Sequence, residues 1–388
     1  MMHSRLALAA AAAACTLAVS QAPAPPPLPF APAAARGGLV VLSGILPATP
    51  DSGGLASQAT QVLDELKSRL VAAGTSMDQV VSTSVYLADA GDFAALNTVW
   101  ARYWPASPPA RTTVVARLPV PGARIQVSAI AAAAGTPRAA VLPQGWALPS
   151  GPLSYAVRAG DTLFLSGLVP RRGIDNSLVQ GDIEAQTNAV FENADAILKA
   201  QGLSLADVVS ARVFLTDGTL FERMNAAYRT RFPVGPPARA TVITPLVSPD
   251  FSIEITMVAA RGAGRAALTT PGADGAPGRA NPNLSSAIRV GPWLFLSGML
   301  GVLPGTAQDP AGQTAETLNR LERTMKTAGF GWPDVAESVV YVTDMSAAPE
   351  VLRVLSARTS GKMPPGTLVG TGLVSPEGRV EIMLNAIK

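Results

Sequence analysis

Histidine and cysteine are almost missing from this chain. Among 388 residues the only histidine is His3 and the only cysteine is Cys15. Both lie in a segment, residues 1–20, that reads as a secretory signal peptide. It has a short basic start to Arg5, an apolar run from Leu6 to Val19, and small residues Ala18-Val19-Ser20 before Gln21. With that segment removed, neither imidazole nor thiol would remain. Ser-His-Asp triads, cysteine nucleophiles, Cys/His zinc sites, haem ligation and disulfides are then excluded together. Chemistry must come from Arg, Lys, Asp, Glu, Ser, Thr, Tyr, Asn, backbone or water, and no cofactor or metal is implied.

Charge is sparse as well, at 15% of residues with a net +3. The Lys and Arg residues are scattered, with no basic run and no basic stripe interleaved with aromatics, so nucleic acid is not an expected partner. After the N-terminal segment no further stretch of 18 apolar residues occurs, so no membrane span is expected. Ala12-Ala13-Ala14-Cys15 lacks the aliphatic residue of a lipoprotein box, which favours a periplasmic or secreted protein over a lipid-anchored one. The 35 Gly and 34 Pro follow no Gly-X-Y period and mark turns and linkers. With 48% hydrophobic residues the chain can bury more than one core.

What the sequence does have is a unit repeated three times. A strand ending in Ser-Gly recurs to Gly44, Gly167 and Gly298, followed each time by a helix with Gln near its start. Gly74, Gly202 and Gly329 fall where each helix should end in a left-handed cap. Six residues later begin VVSTSVYLAD, VVSARVFLTD and VAESVVYVTD, which alternate and are rich in β-branched residues, so they predict strands. The spacing then continues without a gap. Asp89, Asn97, Arg111 and Gln126 match Asp217, Asn225, Arg239 and Glu254, with intervals of 8, 14 and 15 residues, and Asp344, Leu352, Gly366 and Glu381 keep the same intervals.

Each unit thus predicts an α+β fold: a mixed sheet with two helices on one face. The other face needs cover, which two more copies can supply, giving an intramolecular pseudo-trimer. The expected divisions are a signal peptide at 1–20, a Pro/Ala-rich leader at 21–36, and repeats at 37–135, 151–262 and 283–388. Linkers are expected at 136–150 and 263–282.

The motif Pro-Pro-Ala-Arg-(Thr/Ala)-Thr-Val at Pro108 to Val114 and Pro236 to Val242, with DFAALN before the first copy and RIQVSAIAAA after it, resembles the RidA/YjgF family of homotrimeric imine deaminases. The resemblance covers about 340 of the 388 residues. It implies a chorismate-mutase-like fold, ligand clefts between neighbouring units, and hydrolysis of 2-imino or 2-enamino acids to 2-oxo acids and ammonia. The family's carboxylate-binding arginine maps onto Arg111 and Arg239, and its water-positioning glutamate onto Glu254 and Glu381. Its helix asparagine maps onto Asn97 and Asn225, and its serine-glycine corner onto Ser43, Ser166 and Ser297. The implied partner is a small carboxylate, an imino or oxo acid, bound by the chain as a single-chain pseudo-trimer.

Departures from the family pattern are equally specific. The third copy has Gly366 and Leu352 in place of Arg and Asn, and the first has Gln126 in place of Glu. The family's tyrosine falls on Phe30, Leu153 and Leu284, so a phenol would have to come from Tyr155. If each cleft joins the arginine of one repeat to the glutamate of the next, two sites are intact and one has lost both groups together. A guanidinium fork suits a carboxylate, and backbone N–H groups at the Ser-Gly corners would hold its second oxygen. The same clefts would also serve a non-catalytic carboxylate-binding protein.

Overall fold

The computed structural model describes residues 28–50 and 53–388. The expected signal peptide and residues 21–27 of the expected leader lie outside the described residues.

Strands that bury both faces dominate each unit, because one face meets helices and the other meets sister repeats. Val80–Leu87 is buried at every position. In the first unit the sheet runs Ala33–Arg36, Leu39–Ile45, Ile125–Ala132, Val80–Leu87 and Ala110–Val115. Only the last two are parallel, and they are connected through a helix, as a parallel pair requires. Helices α1 (Gly54–Ala72) and α2 (Phe93–Tyr103) belong to this unit. The second has α3 (Ile183–Lys199) and α4 (Phe221–Arg231), and the third α5 (Pro310–Thr327) and α6 (Ala348–Arg358). The expected glycine caps are present, with Gly74, Gly202 and Gly329 at φ of 76°, 66° and 76°. Asp89, Asp217 and Asp344 each accept a backbone N–H two residues on, at 2.8, 2.7 and 2.9 Å, and open the short turn before the second helix.

Two expected linkers contain structure. Arg138–Val141 pairs with Ala156–Ala159, and Ala266–Leu268 pairs with Ala287–Val290, so each adds a strand to the edge of the following sheet. Ala33–Arg36, expected in the leader, pairs with Leu39–Ile45 as the edge of the first sheet. These short strands are Ala-rich and carry little β-propensity. Pairing to an existing edge makes them strands.

The three sheets converge on a shared core. Tyr86 and Val114 of the first repeat meet Phe214 and Val242 of the second and Tyr341 and Met383 of the third. Backbone pairing joins the repeats cyclically: Val114 bridges to Leu246, Val242 pairs with Leu373, and Gly370 bridges to Arg117. Three α+β units in one chain therefore form the pseudo-trimer. Among the described residues no helix is long and apolar enough to cross a membrane.

Candidate active site

The candidate site residues lie at the seams between repeats, and a repeated serine helps to build each seam. Ser166 Oγ accepts the Arg111 N–H at 2.9 Å and donates to the Ser154 carbonyl at 2.5 Å. Ser297 does the same for Arg239 and Ser285, at 2.7 and 2.6 Å. Ser43 does so for Gly366 and Ala31, at 2.8 and 2.6 Å. Each hydroxyl thus donates its proton to a carbonyl of its own repeat, while its oxygen accepts the N–H that crosses the seam. The backbone N–H of Gly167 donates to the Arg111 carbonyl (3.1 Å) and that of Gly298 to the Arg239 carbonyl (3.2 Å). The expectation that N–H groups at these corners hold a ligand oxygen is corrected accordingly: seam pairing already engages them.

Arg111 and Glu254 line one cavity of about 240 Å³ between the first and second repeats. Both are buried, at 2% and 3% exposure. Arg111 Nη2 donates to Asn97 Oδ1 at 2.7 Å, and the guanidinium lies 5.6 Å from the Phe93 ring centroid and 5.2 Å from that of Trp100. Its Nε and Nη1 have no protein partner. The second seam repeats the arrangement. Arg239 Nη2 donates to Asn225 Oδ1 at 2.8 Å, beside Phe221 at 5.8 Å and Tyr228 at 4.5 Å, and again Nε and Nη1 are unpartnered. A buried guanidinium with unused donors is a costly arrangement that an anion would satisfy. Asn97 and Asn225, expected as ligand-binding residues, hold the arginines in position.

Burial raises the carboxyl groups. Glu254 is pushed up to about 8, with the Thr113 N–H (3.3 Å) and Arg111 pulling the other way. Glu381 is likewise pushed up to about 8 by burial, against Thr241 and Arg239. Burial pulls Arg111 down to about 10, leaving it cationic at neutral pH. A carboxyl tuned close to neutrality, beside a fixed cation and an open volume, can exchange a proton with a bound water.

The third seam is different. Gly366 stands where the arginine would be, and a Cβ there would lie 2.3 Å from Phe30 Cδ1. Leu352 and Leu355 of α6 join Phe30 in an apolar cluster, and buried Gln126 has no partner for either amide atom. Ser43 thus belongs to a seam that has neither the site arginine nor the site glutamate. Leu153, at the family's tyrosine position, lines the first cleft. Tyr155 lines the adjoining space, where its hydroxyl meets the Ala147 carbonyl (3.2 Å) and Asn176 Oδ1 (3.1 Å).

Sequence reasoning missed two sets of supports. The aromatic pair around each arginine recurs as Phe93-Asn97-Trp100 and Phe221-Asn225-Tyr228, becoming Ala348-Leu352-Leu355 in the third copy. That shared spacing was a readable signal, since positions four and seven apart share a helix face. The second set is the glutamine near the start of each first helix. Gln186 Nε2 donates to the Asp250 carbonyl (3.2 Å) and its Oε1 accepts the Ser252 N–H (2.8 Å), just before the strand that carries Glu254. Gln313 clamps Glu377 and Arg379 in the same way, at 2.8 and 2.7 Å.

Residues 20–133, 146–261 and 276–388 each match the family described as Endoribonuclease L-PSP, three tandem copies that account for most of the chain. The chain belongs to this family. It is the RidA/YjgF family that the sequence resembles. A RutC family protein of Sulfurisphaera tokodaii is 42% identical over 114 residues, 29% of this chain and 91% of the relative. Protein DfrA of Myxococcus xanthus is 42% identical over 111 residues, 28% of this chain and 85% of the relative. A crystal structure of chorismatase covers 80% of this RidA-family chain and 93% of its own, with a TM-score of 0.52 and 17% identity, a likeness of fold.

Proposed function

We propose that this RidA-family protein is an exported hydrolase that deaminates small 2-imino or 2-enamino acids in two clefts, Arg111 with Glu254 and Arg239 with Glu381. The observation that carries this reading is the pairing of a buried arginine, its Nε and Nη1 unused, with a buried carboxyl tuned close to neutral pH. Imine deamination in the family supports the reaction, and the signal-like N-terminus supports export.

In this reading the substrate carboxylate satisfies the guanidinium, which fixes the imine carbon near the glutamate. As the water oxygen bonds to the carbon of the N-protonated imine, ionised Glu254 or Glu381 takes one water proton and a neutral carbinolamine forms. The carboxylic acid returns that proton to nitrogen. As the C–N bond breaks, the carboxylate takes the hydroxyl proton, so a carbonyl forms and ammonia leaves, and the carboxyl then releases its proton to ammonia or water. Proton transfer of this kind contributes on the order of 10²- to 10⁴-fold.

A second reading, carboxylate binding without turnover, is favoured by Leu153, which puts an isobutyl group where the family has a phenol. RNA cleavage is disfavoured, because the one histidine, His3, lies in the signal-like segment and the Lys and Arg residues form no basic run. The test generates imino acids with an amino-acid oxidase and follows 2-oxo acid formation by wild type, Arg111→Ala, Arg239→Ala and the double variant. Stepwise loss supports two working clefts. No acceleration, with arginine-dependent binding of 2-oxo acids, would establish the binding protein instead. Cell fractionation tests export.

A further inference from the structure

The two arginine–glutamate clefts are not equivalent, and Arg171 is the difference. It lines the first cleft together with Arg111 and Glu254, and also an adjoining space of about 80 Å³ that includes Tyr155 and Asn193. Its Nη1 donates to the Asn176 carbonyl at 2.7 Å, and its guanidinium lies 5.4 Å from the Phe251 ring centroid, which fixes the side chain against the cleft wall. Among the described ion pairs none involves Arg171. A guanidinium carries five N–H donors, of which the Asn176 carbonyl takes one.

The same position in the other repeats, five residues after the seam serine, is Val302 and Ala48. The supporting Phe251 becomes Gly378 in the third repeat. The first cleft thus has two guanidinium groups at its wall, and the corresponding positions of the second cleft supply one. Arg111 lowers the Glu254 carboxyl that burial raises, and Arg171 is not among the charges acting on it.

We propose that Arg171 makes the first cleft selective for substrates with a second acidic group, 2-imino acids whose side chain ends in a carboxylate, whereas the second cleft takes those with uncharged side chains. This rests on the reading of Arg111 as the anchor for the 2-carboxylate. The distal carboxylate reaches Arg171, and the side space accommodates the longer chain. A monocarboxylate leaves Arg171 without an anion, so selectivity comes from one added charge-assisted hydrogen bond.

Calorimetry on the mature chain with the two stable products, 2-oxoglutarate and 2-oxobutanoate, tests this without requiring turnover. Wild type should bind 2-oxobutanoate at two sites per chain and 2-oxoglutarate with clear preference at one. Arg171→Gln should lower the ratio of 2-oxoglutarate to 2-oxobutanoate affinity by about tenfold or more, and Arg171→Lys should retain most of it. The Lys variant separates loss of charge from a disturbed loop. An unchanged ratio in Arg171→Gln, or a fall in Arg171→Lys as large, overturns the inference while leaving the carboxylate site intact. If neither acid binds, or Arg111→Ala alters neither, the anchor reading falls and the inference falls with it.

Discussion

Phe30 fills the space that a side chain at Gly366 would need, with Phe30 Cδ1 only 2.3 Å from where a Cβ would lie. The aromatic ring comes from the start of the first repeat and packs in the core of the third. The Ala31 N–H donates to the Met363 carbonyl at 3.2 Å beside it. The lost site has become a joint that closes the ring of repeats.

Phe30→Ala should therefore cost about 3 kcal/mol of stability, at the lower end for a large buried aromatic. Gly366→Arg should also destabilise, because ring and guanidinium cannot share the space. Urea denaturation of the mature chain measures both. If Phe30→Ala unfolds at the wild-type midpoint, the joint is not structural.

Asn97 and Asn225 each accept a hydrogen bond from the site arginine, so in the proposed reaction they would act only through it. Replacing each with leucine, the residue already at position 352, removes one hydrogen bond to a charged group, about 1.5–3 kcal/mol. The expected result is a KM raised about tenfold or more with kcat little altered, since the guanidinium can still reach the carboxylate but is no longer held. Steady-state kinetics decides the point. A loss confined to kcat would place the asparagines in the chemical step instead.

The clefts were legible because the chain writes the same intervals three times. Arg111 and Glu254 are 143 positions apart, yet coupled loss at Gly366 and Gln126 pointed to pairing between successive repeats. The roles of Ser166 and Ser297 were not legible. A hydroxyl at a strand end looks the same in sequence whether it meets a ligand or the neighbouring backbone. The strand Ala266–Leu268 was hidden for another reason: its residues have weak preferences, and pairing with Ala287–Val290 makes the strand. Gln186 and Gln313 were visible as a repeat, but their bonds span 64 to 66 positions that no local pattern reports.

Those glutamines lead to a cleft-specific expectation. Each holds the residue two before a site glutamate, Ser252 before Glu254 and Arg379 before Glu381. Gln186→Leu should destabilise the fold by about 1 kcal/mol, since two part-buried backbone groups, the Ser252 N–H and the Asp250 carbonyl, lose their partner. It should also slow turnover at the first cleft only. Gln313→Leu should do the same at the second. Measuring each in an Arg239→Ala or Arg111→Ala background isolates one cleft at a time. Equal effects at both clefts would show a general loss of stability rather than positioning.

The raised carboxyl groups make stability and activity respond oppositely to pH. Glu254 and Glu381 hold their protons up to about 8 when folded, whereas an unfolded glutamate loses its proton near the ordinary value of about 4.3. Between those limits the folded state binds more protons, so stability falls as pH rises and levels off above about 8. A tenfold difference in proton affinity between the two states is worth about 1.4 kcal/mol, so a few kcal/mol per site are at stake. Glu254→Gln with Glu381→Gln should flatten this dependence and raise stability at pH 8, because an amide has no charge to bury. The proposed reaction uses the ionised form, so the enzyme-dependent rate should climb by up to tenfold per pH unit below about 8, and the same double variant should abolish it. Denaturant midpoints and imine hydrolysis measured from pH 5 to 9 test both halves. A double variant whose stability follows the wild-type pH curve would mean that these two carboxyls are ionised in the folded protein throughout, and the proton-exchange role would fail with that result.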